Sequence, residues 1–353
     1  MPFYWSSRLF MGNNMSIKKS LTVLLAGTSA LASSMSFAAE EVNVYSYRQP
    51  FLIEPMMKEF TAETGVKVNI LFAKKGLIER IKREGKLSTA DLMLTSDFSR
   101  LTMFTEEGLA QPVDSDILNK NIPSQFHGAE KQWYALTSRA RNIYSSVERV
   151  GPAPTITYQD LATPAFKGKV CMRSGKHPYN VSLWASIIAH EGEAKAKTWL
   201  EGLKANLARK PQGNDRAQVK AVKEGLCDYA LTNSYYLGKM LNDPKQVAWA
   251  EAVHINFPNQ ATTGTHVNVS GSALTKYAPN KNNAIKLMEF LSGDVAQKMY
   301  AEINYEYPVK EDVQPSKLVA SWGKFKADDI KLSDIAAQHQ AAIKLLDEVK
   351  FDL

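Results

Sequence analysis

The chain has 353 residues, of which 44% are hydrophobic and 22% charged, with 43 Lys and Arg against 36 Asp and Glu. This composition excludes a disordered chain, a collagen-like fibre and a small disulfide framework, while the length allows two domains with sizeable cores. The formal net charge of +7 raises the question of an anionic partner, such as nucleic acid or a membrane.

The first 38 residues have the features of a secretory signal. Two lysines at positions 18 and 19 precede an apolar run at 21–31, and a pattern of small residues follows at 36–38. The apolar run is shorter than the roughly 20 residues that a membrane-spanning helix needs. We therefore expect translation to start at Met15, cleavage after Ala38, and a mature protein in the periplasm.

Most of the basic excess disappears with this segment. Residues 1–38 hold three basic residues and no acidic one, so 40 basic residues remain against 36 acidic ones, a formal +4. From 74 to 84 lysines and arginines are interleaved with glutamates, a pattern typical of a solvent-exposed helix face. We therefore expect no nucleic-acid partner. No second apolar run of that length follows, so no membrane span is expected in the mature chain.

The two cysteines, Cys171 and Cys227, have a direct interpretation in an exported protein. Thiols in an oxidising compartment tend to pair, so the sequence predicts one disulfide between them. The alternative is two separate buried thiols. Since no CxxC motif is present, neither thiol redox catalysis nor a cysteine-rich zinc site is expected.

From residue 41 onward the predicted elements alternate between strand and helix. Strands are predicted at 42–45, 66–73, 90–95, 142–145, 169–173, 228–232, 253–257 and 267–274. The clearest helices are predicted at 52–64, 76–85, 282–291 and 335–349. This alternation predicts an α/β fold with a parallel sheet and crossover helices.

The absence of a flexible linker predicts two lobes that the chain connects more than once. We expect hinge strands near 138–145 and 260–270, with an N-lobe at 39–137 and 265–313 and a C-lobe at 138–264 and 314–353. By analogy at the level of the fold, an exported two-lobed protein with a cleft is the usual form of a solute receptor.

No enzyme signature accompanies this fold. The motifs GxSxG, HExxH, GxxxxGK[ST] and GxGxxG are missing, and the six histidines form no pair four residues apart on a helix. The sequence therefore predicts a binding protein and not an enzyme.

Three tyrosines stand at predicted strand-to-helix turns. Tyr179 follows one strand, and Tyr235 and Tyr236 follow another, at the strand ends where open α/β sheets bind ligands. Converging phenols form a hard oxygen site that suits ferric iron. Free phenols titrate near pH ~10, so the metal must displace their protons and binding should weaken in acid. The alternatives are packing aromatics, or a stacking box for a sugar or an amine.

Arginines form a second group of candidate residues. Arg48 and Gln49 end the first strand, and Arg139 and Arg141 lie at the predicted hinge. A guanidinium at a cleft edge suits a carboxylate, carbonate or phosphate. The alternative for each arginine is a surface salt bridge.

Several stretches resemble the ferric-ion-binding periplasmic proteins, the receptors of ABC-type iron importers. They are Tyr-Ser-Tyr-Arg-Gln-Pro at 45–50, Lys-Val-Cys-Met-Arg-Ser-Gly-Lys at 169–176, Asn-Val-Ser-Leu at 180–183, Arg-Lys-Pro-Gln-Gly at 209–213 and Thr-Asn-Ser-Tyr-Tyr-Leu-Gly-Lys-Met at 232–240. The resemblance covers essentially the whole mature chain. It implies a periplasmic solute-binding protein fold of type II.

The resemblance also implies a set of ligands. It assigns Tyr179, Tyr235 and Tyr236 to ferric iron, whereas the His-Tyr of many relatives is replaced by Gln49 and Pro50. This places the sequence with the branch in which three C-lobe tyrosines and an anion such as carbonate bind the iron. The expected anion ligands are Arg48, Gln49 and Arg139.

The function predicted from the sequence is thus a periplasmic receptor for ferric iron. We expect a monomer whose lobes close over iron and anion and which docks on an inner-membrane ABC permease with a cytoplasmic ATPase. Two other classes remain open at this point. They are a receptor for an organic anion or sugar, and an exported enzyme of the same fold.

Overall fold

The computed structural model describes residues 40–353, so the predicted signal segment and start site lie outside the described residues. The strands are β1 Glu41–Ser46, β2 Lys67–Phe72, β3 Leu92–Thr95, β4 Tyr134–Ser146, β5 Val170–Cys171, β6 Tyr229–Asn233, β7 Val253–Asn256, β8 Val267–Leu274 and β9 Tyr307–Pro308. The helices are α1 Pro50–Thr64, α2 Leu77–Glu84, α3 Phe98–Glu106, α4 Asp116–Asn121, α5 Pro178–Glu191, α6 Glu193–Ala205, α7 Asp215–Lys223, α8 Tyr235–Leu241, α9 Val247–Ala250, α10 Lys281–Ser292, α11 Asp294–Asn304, α12 Lys317–Ser321, α13 Leu332–Ala337 and α14 His339–Glu348.

The strands form a mixed sheet in the order β2-β1-β3-β8-β4-β6-β5, and β7 and β9 pair with β4 outside this path. β1 runs parallel to β2 and β3, and β5 runs parallel to β6, as the alternation of strands and helices predicts. In the middle of the sheet the prediction of parallel strands is wrong. β8 is antiparallel to both β3 and β4, and β4 is antiparallel to β6, because the chain passes back and forth there between the two halves.

The long strand β4 belongs to both halves of the sheet. Its first part, as far as Ala140, pairs with β8, and from Arg141 onward it pairs with β6 and β7. Every residue of β4 is buried as a result. The change of partner lies within the hinge region predicted at 138–145. The exact lobe boundaries stay a prediction.

Local sequence signals explain several element ends. Pro50 occupies the first turn of α1, where a missing N–H costs nothing, and Gly65 ends the helix with a φ of 73°. The N–H of Gly65 donates to the carbonyl of Thr61. The predicted end of this helix and the predicted strand 267–274 are both confirmed.

The final helical region differs from the prediction of one helix at 335–349. The backbone leaves α-helical geometry at Gln338, with φ −92° and ψ 1°, and separates α13 from α14. Both helices pack against α5. The periodicity of apolar residues was thus correct, but it runs across a bend that lets two short helices follow one surface.

The predicted disulfide between Cys171 and Cys227 is present. It joins β5 to the segment immediately before β6, and the Cα atoms of the two cysteines are 5.9 Å apart. Among residues 40–353, no helix combines the length and apolar character needed to cross a membrane.

Candidate functional site

A cavity of about 640 Å³ lies at the strand ends that the sequence marks as a binding site. Residues that follow β1 and β3 line one side, and residues that follow β5 and β6 line the other. All six predicted ligands line it, namely Arg48, Gln49, Arg139, Tyr179, Tyr235 and Tyr236. Seven Lys or Arg side chains line the cavity against three Asp or Glu, so its potential favours an anionic ligand or phenolates.

The three tyrosines come together in this cavity. Tyr179 lies in the first turn of α5, and Tyr235 and Tyr236 open α8. The hydroxyls of Tyr179 and Tyr235 are 3.4 Å apart, and the ring centroids of Tyr235 and Tyr236 are 4.2 Å apart. The three phenols lie close together because the turns that carry them follow the adjacent strands β5 and β6.

Burial sets the protonation of Tyr235 and Tyr236. It raises the pKa of Tyr235 well above the usual value of a phenol, and the nearby Tyr179 and Tyr236 raise it further. The pKa of Tyr236 is raised by burial first and then by Tyr179. Without a cation these two phenols keep their protons. A highly charged cation would reverse this preference by pairing directly with the oxygens.

No cluster of three or more His, Cys, Asp or Glu suited to a metal ion occurs in residues 40–353. His177, which lines the cavity, accepts a hydrogen bond at Nδ1 from the N–H of Tyr179 and so caps α5. Burial and the positive charge of Arg173 lower the pKa of His177 to about 2, so its ring is neutral. His177 therefore fixes the backbone at Tyr179 without adding charge.

Arg139 has the character of an anion ligand. It is 1% exposed, and its guanidinium carbon lies 5.5 Å from the ring centroid of Tyr179. Nη2 donates to Oδ1 of Asn268 at 3.4 Å, whereas Nε and Nη1 find no partner among the described residues. Buried donors without partners are costly, so a bound anion would stabilise Arg139.

Arg48, which we expected to bind the anion, lines the cavity but forms a buried salt bridge with Glu306. Its Nη2 and Nη1 donate to the two carboxylate oxygens of Glu306, at 2.8 and 3.2 Å, and both side chains are 3% exposed. Glu306 is 258 positions away in the chain, so no local pattern indicates this pair. Gln49 lines the cavity as predicted, with an exposed side chain that forms no capping hydrogen bond at the start of α1.

Sequence reasoning missed Arg173. Its guanidinium carbon lies 5.5 Å from the ring centroid of Tyr179, the same distance as that of Arg139, and its Nη1 lies 3.5 Å from Oδ2 of Asp215. A signal was available, because Arg173 follows β5 just as Arg48 follows β1. Arg141, which we considered with Arg139, does not line the cavity and is buried against Asp215.

Comparison with known proteins places the chain in a family. Residues 88–327 match the family described as bacterial extracellular solute-binding protein. Iron uptake protein A1 of Synechocystis sp. is 44% identical over 312 residues, which cover 88% of this chain and 87% of that protein. The chain belongs to this solute-binding family. The predicted relationship to the ferric-ion-binding periplasmic proteins is confirmed.

Solved structures of the solute-binding family support the same placement. The apo ferric ion-binding protein A of Pasteurella haemolytica is 60% identical with a TM-score of 0.87, covering 89% of this chain and 99% of that one. The Trichodesmium protein IdiA (FutA), in complex with iron and citrate ligands, is 42% identical with a TM-score of 0.83, covering 88% and 99%. The predicted two-lobed α/β fold of type II is therefore confirmed, and members of this family are binding proteins.

Proposed function

We propose that this chain is a periplasmic receptor that binds ferric iron through Tyr179, Tyr235 and Tyr236 and delivers it to an ABC importer. The observation that carries the proposal is the convergence of three phenols in a cavity lined with arginines. Phenolate oxygens suit a small cation of high charge. The relatives named for iron uptake and ferric-ion binding support the same cargo.

A small anion completes the proposed site. Three phenolates balance the charge of Fe³⁺, which leaves Arg139 beside the cluster with two nitrogens that need an acceptor. Carbonate or a similar anion could accept from Arg139 while it fills the coordination positions that the phenols leave open. Gln49 and Arg173 line the same cavity and are further candidate donors, whereas the fork of Arg48 is engaged by Glu306.

Transport follows from closure of the two lobes. The cation binds the C-lobe tyrosines, the anion fills the remaining positions, and bending at the hinge brings the N-lobe residues of the cavity over both. The loaded receptor then docks as a monomer on an inner-membrane permease that is driven by a cytoplasmic ATPase. A receptor for an organic anion or sugar is not favoured, because relatives at 44% and 60% identity are named for iron uptake and ferric-ion binding.

Titration of the purified, chelator-stripped mature protein with ferric citrate tests the proposal. We expect a visible phenolate-to-iron charge-transfer band, and we expect Tyr235→Phe and Tyr236→Phe to weaken or shift it. Tyr277→Phe is the matched control, because Tyr277 is 42% exposed and does not line the cavity. Absence of a band, or a band unchanged in both cavity variants, would contradict iron binding by these tyrosines. Iron binding that proceeds equally well without any small anion would contradict only the proposed role of the anion.

A further inference from the structure

Arg141 contacts both turns that carry the proposed iron ligands. It lies on β4, at the position where that strand changes partner, and its side chain is 2% exposed. Nε, Nη1 and Nη2 all donate hydrogen bonds. Arg141 does not line the cavity, so any effect on a bound cation must act through other residues.

The first contact reaches the turn of Tyr179. Nε and Nη2 of Arg141 donate to Oδ1 of Asn180, at 3.2 and 2.6 Å. Asn180 is completely buried, and its Nδ2 donates to the carbonyls of Arg173 and Ser174, at 3.2 and 2.9 Å. Arg141 therefore connects β4 to the turn that leads into α5.

The second contact reaches the turn of Tyr235 and Tyr236. Nη1 of Arg141 donates to Oδ1 of Asn233 at 2.9 Å, and Nη2 donates to the carbonyl of Leu231 at 3.1 Å. Asn233 ends β6, two residues before Tyr235. One planar guanidinium thus fixes the distance between the two turns that supply the phenols.

Asp215 balances the charge of this arginine and extends the network to the cavity. Nη1 of Arg141 lies 3.0 Å from Oδ1 of Asp215, and the other carboxylate oxygen faces Arg173. Asp215 is completely buried. An ion pair alone would need only Asp215, whereas Arg141 also directs donors to two amides next to the tyrosines.

We propose that Arg141 is a positioning residue that holds Tyr179 and the Tyr235–Tyr236 pair at the separation required for one ferric ion. The inference rests on the proposed function. Three oxygens on two helices must meet within one coordination sphere, and residues behind the ligands supply that precision. A lysine could keep the charge opposite Asp215, but its single nitrogen cannot span both amides.

Two variants test the inference, Arg141→Lys and Asn180→Ala. We expect each to lower ferric affinity by about 10- to 100-fold, measured by competition with a chelator. We also expect a shifted charge-transfer maximum at saturating iron. Asn206→Ala is the matched control, since Asn206 is 4% exposed, donates two hydrogen bonds to carbonyls and lies away from the cavity.

The charge-transfer band at saturating iron distinguishes a loss of ligand positioning from a loss of protein stability. The control should lose thermal stability but keep the wild-type affinity and band position. If Arg141→Lys does not fold, Asn180→Ala decides. Wild-type affinity and band position in Asn180→Ala, or equal losses in the control, would overturn the role of Arg141. Failure of the wild-type protein to bind iron would instead overturn the proposed function, so the two failures are distinguishable.

Discussion

At the proposed site, buried phenols would make proton release part of iron capture. Burial raises the pKa of Tyr235 and Tyr236, so both phenols hold their protons until a cation displaces them. Protons therefore compete with iron at every pH below these pKa values, and the competition strengthens as the pH falls. Raised phenol pKa values thus predict that iron binding weakens in acid.

The pH dependence of binding can be tested one tyrosine at a time. Affinity should fall by about tenfold per pH unit for each phenol that loses a proton on binding. We expect Tyr236→Phe to reduce the slope of log affinity against pH by about one. Comparing it with wild type and the Tyr277→Phe control in the same chelator cancels the chelator's own proton uptake. Equal slopes would show that Tyr236 releases no proton.

The buried pair of Arg48 and Glu306 makes a different prediction at the same scale. Glu306→Gln leaves a buried guanidinium without a counter-charge, which should cost about 3–5 kcal/mol of unfolding free energy in a urea titration. Glu224→Gln is the matched control. Its partner Lys220 is about half exposed, and loss of that pair should cost under about 1 kcal/mol. If Glu306→Gln lowers the unfolding free energy as little as the control does, Arg48 and Glu306 are not a tightly coupled pair.

Among the elements, α8 carries two of the proposed ligands and also contacts α11. Nζ of Lys239 on α8 donates to the carbonyl of Ile303 at 2.7 Å. Gly238 faces Tyr305, which follows α11 with a φ of 58°, and a Cβ at position 238 would overlap the Tyr305 ring. The close approach of the Tyr305 ring therefore requires glycine at position 238, although glycine has a low helix propensity.

Gly238→Ala should separate these two effects. In an isolated helix, alanine is more favourable than glycine by about 1 kcal/mol. Overlap with Tyr305 should outweigh this gain and destabilise the protein by about 1–3 kcal/mol. In a double-mutant cycle with Tyr305→Ala, measured by urea unfolding, the cost of Gly238→Ala should disappear or reverse. Additive effects in the cycle would show that the ring does not restrict position 238.

At the scale of the whole molecule, β4 and β8 link the two halves of the sheet. Few connecting strands and a cavity lined from both halves are the geometry of hinge closure around a ligand. Iron with carbonate should therefore reduce the radius of gyration in X-ray scattering, towards the about 20 Å expected for a compact chain of this length.

The scattering experiment has an internal control. The double variant Tyr235→Phe/Tyr236→Phe should keep its apo radius of gyration when iron and carbonate are added. The forward scattering should correspond to one chain at every concentration. A radius of gyration that does not change when the wild-type protein binds iron would contradict closure of the lobes. A molecular mass that rises with protein concentration would contradict the prediction of a monomer.

Much of the fold was readable from local sequence. Gly65 ends α1 and the alternation of strands and helices is correct, because backbone preference and periodicity are set by near neighbours. The length of β4 was not readable. Its buried Thr137, Ser138 and Arg139 are polar, so no apolar pattern marks this part of the strand. All three pair with β8, and Thr137 and Ser138 also pair with β9 on the other side.

The sequence by itself determined most of the strands and helices, the disulfide and the tyrosines at two strand ends, since each depends on residue type and on its neighbours. Only the tertiary structure decided that the phenols of Tyr179 and Tyr235 meet and that Glu306 neutralises Arg48. It also placed Arg141 against both tyrosine turns. These contacts join residues from 39 to 258 positions apart, and their partners are chosen by sheet order and burial, which no local pattern encodes.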